Sequence, residues 1–248
     1  MPLFKDEEKH NLPVGHFGFG AVNINDLADG ASEYTLVTVL VDESGSTSMF
    51  RSNMEACLQE IYKACFNSPR VDNLMMRVCA FDHAFREIHG FQLLSKLTAS
   101  NYANALRSGG TTALYDSSHN CIEATAEYAK LLAASDYDVN GIVFIITDGC
   151  DNASTFTKNE VKKILAESLQ NEKIQGLVTV LIGVNIQDPS IGQVLKEFQK
   201  DAGITQYIEI DNASAKTLAR LAEFVSKSIS SQSQALANKS GAAAPLTF

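Results

Sequence analysis

Four stretches of the chain are apolar almost without interruption: "YTLVTVLVD" (34–42), "NLMMRVCAFD" (73–82), "GIVFIITDG" (141–149) and "GLVTVLIGV" (176–184). Each has a strand's length, all but the second are rich in β-branched residues, and neither face is left for water. Such runs predict strands of a parallel sheet covered on both sides. Between them the apolar period changes. Met54, Leu58, Ile61 and Cys65 recur at helical spacing, as do Leu114, Cys121, Tyr128 and Leu132, and Val161, Ile164 and Leu165 form a third stripe.

Helix ends are marked as well. Ser52 with Glu55, and Thr157 with Glu160, have the spacing of capping boxes. Asp188-Pro189 predicts a helix start, and Gly203 its stop. "FREIHGFQLL" (85–94) follows the second strand after only a short turn, so it predicts an antiparallel edge strand. "QYIEI" (206–210) is a short last strand, and "SAKTLARLAEFVSKSI" begins a last amphipathic helix over 214–230. Strands therefore alternate with helices. The expected fold is α/β: a Rossmann-like, doubly wound, mainly parallel sheet with one antiparallel edge strand and helices on both faces. Residues 1–34 carry no strong period and form an expected N-terminal extension to a domain of residues 35–230. Residues 231–248, rich in Ser and Ala, form an expected flexible C-terminal tail.

Composition narrows the function. The 248 residues carry a formal net charge of -9, which disfavours nucleic acid or an anionic membrane as the main partner. The chain starts "MPLFKDEEKH", which lacks the apolar core of a signal peptide, and no apolar run reaches transmembrane length. Five cysteines, an odd number with no C-x-x-C pair, suit reduced thiols in the cytoplasm better than a disulfide framework or a zinc site. "GHFGFG" holds a G-x-G, but no strand leads into it, so a dinucleotide motif is disfavoured.

The chemistry concentrates where apolar runs end. In "VLVDESGSTSMF" (39–50), Asp42, Ser44 and Ser46 follow the first strand. Asp148 ends the fourth strand, and the "GGTT" turn precedes a helix. In a doubly wound sheet such strand ends meet at the topological switch point. Two carboxylates brought together there call for a cation, and an all-oxygen donor set selects Mg²⁺, Mn²⁺ or Ca²⁺. The bland alternative is that these residues cap turns and helices. The five histidines are scattered; His83, just past a strand, reads as a solvated loop residue.

Asp42-Glu43-Ser44-Gly45-Ser46 resembles the D-x-S-x-S motif of the von Willebrand factor A family. "GGTTALYD" and "FIITDG" resemble that family's threonine and aspartate loops, in the same order. The resemblance covers residues 35–230. It implies a metal-ion-dependent adhesion site (MIDAS) in which Asp42, Ser44, Ser46, Thr112 and Asp148 hold the ion, with Thr111 the alternative to Thr112. It further implies a protein-binding adaptor, not an enzyme, whose open metal position takes an Asp or Glu carboxylate from a partner. The text "ITDGCDNAS" is similar to bacterial intracellular members, which implies an AAA+ ATPase or a stress-response system as partner class. Two features depart from the family: Thr47 and Ser48 separate the last serine from Met49, and Cys150 stands where an acid is common. The competing reading is a Mg²⁺-dependent phosphatase-like hydrolase using Asp42. It lacks the second acid, because Ser44 occupies that place, and no lysine motif follows.

Overall fold

The structure, a computed structural model, describes residues 7–12, 18–27, 31–170, 174–184, 186, 188–210 and 214–237. Its strands are β1 (Glu8–Asn11), β2 (Gly18–Ala21), β3 (Glu33–Asp42), β4 (Leu74–Phe81), β5 (Phe85–Leu93), β6 (Asp138–Thr147), β7 (Gly176–Val184) and β8 (Gln206–Ile210). The helices are α1 (Arg51–Phe66), α2 (Leu114–Ala133), α3 (Lys158–Gln170), α4 (Pro189–Ala202) and α5 (Ala215–Ala237). One sheet runs in the order β1-β2-β5-β4-β3-β6-β7-β8. β3 pairs in parallel with both β4 and β6.

The alternation along β3 divides the core in two. Val37, Val39 and Val41 face α1 and α5, while Leu36 and Leu40 face α2 and its neighbours α3 and α4. Every residue of β4 and β7 is buried, as continuous apolar runs require. The predicted helix stripes are buried, including Cys121, Tyr128 and Leu132 of α2, except that Ile164 of α3 is only half-buried.

The structure departs from expectation at three places. First, β5 is antiparallel to β4, but it is not the outer strand. β2 lies against it through the Ala21–Phe91 bridge, and β1 pairs with β2 beyond. Gly20 and Gly90 make this approach feasible, because a Cβ on Gly90 would stand 2.1 Å from the Gly20 carbonyl oxygen. Part of the expected N-terminal extension is thus sheet, and "GHFGFG" contributes β2 rather than a nucleotide loop. Second, the Ser52–Glu55 capping box does not form. A 3-10 turn at Gly45–Phe50 runs directly into α1, which opens at Arg51 with no side-chain cap, and Glu55 instead accepts from the Leu106 amide at 3.3 Å. Third, α5 continues to Ala237, past the expected boundary at 230; the rest of the expected tail, 238–248, lies outside the described residues. The five cysteines are free thiols as expected, four of them buried and Cys150 half-buried in a loop.

The other caps form as the sequence suggests. The Thr157 amide and hydroxyl both donate to Glu160. Asp188 accepts from the Ser190 amide at 2.8 Å, and Gly203 closes α4 with φ 75°.

Candidate metal centre

Parallel pairing of β3 with β6 brings Asp42 and Asp148 to the same end of the sheet, at adjacent strand ends. Asp42 is fully buried, and both of its oxygens have protein donors. Oδ1 accepts from the Ser44 amide at 2.8 Å, and Oδ2 accepts from the Thr147 hydroxyl at 2.6 Å. The Ser44 and Ser46 hydroxyls lie 3.1 Å apart, and Ser46 donates to Asp148 Oδ1 at 3.0 Å. Asp148 and Ser44 are buried, while Ser46 is exposed.

The third loop is tied to the first by main chain. Gly45 donates to the Gly110 carbonyl at 3.1 Å, and Gly109 donates to the Glu43 carbonyl at 3.2 Å. Gly110 has φ 76°, and a Cβ there would strike His83 and Asp82, so both the dihedral and the space call for glycine. Thr112 follows, buried, whereas Thr111 is exposed. Asn152 fastens Thr112 from the far side, accepting from its amide at 2.7 Å and donating to its carbonyl at 2.9 Å. All three loops named by the sequence therefore meet at one place. His83 reaches Asp82 and abuts Gly110, but its side chain is largely exposed.

Three supporting features were not singled out in the sequence. Thr147 orients Asp42; its signal was adjacency to Asp148. Asn152 holds the Thr112 backbone and has no motif of its own. Glu43, the unspecified second position of D-x-S-x-S, is buried and receives a two-pronged ion pair from Arg86 at 3.0 and 2.6 Å. The Arg107 amide also donates to Glu43, and Arg86 donates to the Ala105 carbonyl. Glu43 thereby clamps the first loop, β5 and the segment before α2. The partners are too far apart in sequence for a local pattern to reveal them.

The electrostatics are those of a site short of positive charge. Burial pushes Asp42 up to about 6, and the nearby Asp148 adds to the rise against hydrogen bonds that lower it. Burial likewise raises Asp148. Among the described residues, no three His, Cys, Asp or Glu side chains form a metal-holding group. Any ion here must therefore be held mainly by hydroxyls with the two carboxylates. That donor set is hard and suits a divalent cation of the Mg²⁺ or Ca²⁺ type.

No protein-family model and no curated protein sequence matches the chain. Solved structures do. Proximal thread matrix protein 1 from the mussel byssus superposes at TM-score 0.53 with 16% identity, over 79% of this chain and 45% of that one. The same mussel protein with a zinc-occupied MIDAS motif gives TM-score 0.54 at 17% identity, over 79% of this chain and 46% of that one. The PilB minor pilin from Streptococcus sanguinis gives TM-score 0.53 at 13% identity, over 82% of this chain and 63% of that one. The fold is that of a von Willebrand factor A domain. This chain spans less than two thirds of each of those chains. No helix among the described residues is long and apolar enough to cross a membrane.

Proposed function

We propose that this chain is a protein-interaction module that uses a divalent cation at Asp42, Ser44, Ser46, Thr112 and Asp148 to capture a carboxylate of a partner protein. The observation that carries the reading is the Ser44–Ser46–Asp148 chain of oxygens beside a fully buried, charge-starved Asp42. A turn-capping role explains each residue singly. It does not explain two buried carboxylates at adjacent strand ends with no Lys or Arg paired to either among the described residues. A bound cation supplies positive charge and an electrophilic position that a third carboxylate can fill.

The chain's own residues divide the work. Asp42, with both oxygens occupied by protein donors, contributes charge and holds the Ser44 loop in place. Ser44, Ser46 and Asp148 present oxygens toward one another. Thr112 is placed by Asn152 and the Gly45–Gly110 contact. The Arg86–Glu43 pair keeps the loops in register. The burial of Asp42 weighs against a phosphatase: a nucleophilic aspartate needs an oxygen facing substrate, and Asp42 is fully buried. Magnesium is the proposed physiological ion, a cytoplasmic setting the proposed location, and an AAA+ ATPase a proposed partner class. The mussel protein's zinc-occupied site supports a divalent ion in this fold.

The deciding experiment is calorimetric titration of Mg²⁺ and Mn²⁺ into chelator-treated protein, wild type beside Asp148→Ala. The expected result is binding that vanishes in the variant, followed by partner capture that chelator abolishes. Equal titration curves for the two proteins would overturn the assignment.

A further inference from the structure

The loop that leaves Asp148 has a second face. It is pinned to the start of α2 by reciprocal bonds. Asp151 accepts from the Tyr115 amide, Ser154 accepts from the Tyr115 and Asp116 amides, and Asp116 accepts from the Thr155 and Phe156 amides. Behind this loop, the first turn of α3 and the end of α4 line an open cleft of about 830 Å³. Tyr115 and Phe156 give it half-buried aromatic walls, with Tyr115 braced on Phe198 at 4.8 Å.

Three lysines line the cleft: Lys158, Lys162 and Lys200. The two acids among its walls are already engaged. Asp201 pairs with Lys158 at 3.2 Å, and Asp151 holds the Tyr115 amide and the Ser154 hydroxyl. Glu160 is turned back onto Thr157. Lys162 and Lys200, from two different helices, have no carboxylate partner among the described residues. In a chain of net charge -9, a cleft lined by three lysines and two aspartates carries a net positive charge and is locally the reverse of the whole.

We propose that this cleft is a second, metal-independent docking site that takes an acidic segment of a protein partner. Charge complementarity selects an anion. Aromatic walls suit the aliphatic stems of Glu side chains. Nucleic acid is the wrong size of anion, since its binding needs many phosphate contacts and two spare lysines supply few. A single phosphate would leave most of the cleft empty. The proposal stands apart from the metal reading, because neither Lys162 nor Lys200 belongs to that site.

The test is a nitrogen-15 NMR titration with acetyl-hexaglutamate amide in the presence of chelator. Amide shifts should cluster at Tyr115, at Phe156–Lys162 and at Lys200. Binding should weaken severalfold between about 50 and about 300 mM salt. The Lys162→Glu/Lys200→Glu protein should keep a folded spectrum and lose about tenfold or more in affinity. Lys163→Glu, just outside the cleft, and Asp42→Asn should bind like wild type. Absence of shifts at the cleft, or equal shifts in the charge-reversed protein, would overturn the proposal. So would inorganic phosphate moving these resonances when the peptide does not.

Discussion

Asp42→Asn should stabilise the metal-free protein, although Asp42 lies at the centre of the site. In the fold its carboxyl is raised from 3.8 to about 6 by burial. Protonation therefore favours folding: the benefit is complete below 3.8 and is lost as pH rises through about 6. At about pH 7.5 the buried charge costs roughly 3 kcal/mol, because each tenfold change in an acidity constant corresponds to about 1.4 kcal/mol. At about pH 5 the carboxyl is mostly protonated in the fold, and the remaining cost is roughly half of that. Asparagine has the same shape and no charge. Its amide can donate to the Thr147 hydroxyl, which keeps an acceptor in the Gly149 carbonyl. Urea unfolding in chelator should thus show the variant more stable by up to about 3 kcal/mol at neutral pH, with the gap closing on acidification. Saturating Mg²⁺ should reverse the order, since only wild type gains from it. A variant less stable than wild type in chelator at neutral pH, or a gap that ignores pH, would refute the electrostatic reasoning.

Other outcomes follow from the same geometry. Arg86→Ala leaves the buried Glu43 carboxylate without its cation, so it should cost about 3 kcal/mol and weaken Mg²⁺ binding about tenfold, measured by denaturation and calorimetry, with Arg86→Lys intermediate. His89 is buried between the Gly90 carbonyl and the Tyr102 hydroxyl, and burial lowers it to about 4. Its contribution is present above about 6.5 and is lost as pH falls through about 4. His89→Gln should remove an acid-side destabilisation of roughly 3 kcal/mol, read as a flatter stability–pH profile than wild type. Gly90→Ala should drive β2 off the sheet, giving faster hydrogen exchange in β1 and β2 while β3, β6 and β7 stay protected. Thr157→Ala should cost about 1 kcal/mol by thermal melting, through loss of the α3 cap.

The parts legible in the sequence are those where one local force acts alone. β3, β4, β6 and β7 announce themselves because a strand covered on both faces must be apolar throughout. The Asp188-Pro189 start and the Thr157–Glu160 box are complete within four residues. The candidate site residues stand out for the same reason, as short polar breaks after apolar runs. What the sequence hides depends on distant neighbours. Glu55 has the right spacing to cap α1 but is drawn to the Leu106 amide once the loops close. β1 and β2 are four residues each and are held by backbone pairing and the Gly20–Gly90 approach, neither of which leaves a hydropathy period. Thr147, Asn152 and Arg86 act on the site by reaching across chain segments, so only the assembled sheet reveals them.

The outermost strands have a consequence for behaviour at high concentration. An eight-stranded sheet ends in two rows of main-chain groups that a second molecule can extend. Here one end is the four-residue β1, "EKHN", bearing Glu8 and Lys9, and the other is the five-residue β8, with Glu209 exposed. Both borders are short and charged, and the long apolar strands β3, β6 and β7 lie inward of them. Removing β1 and β2 would bare β5, a nine-residue strand, as the new border. A chain trimmed to the segment from residue 31 onward should therefore aggregate more readily than the full one, by edge-to-edge growth rather than by loss of its core.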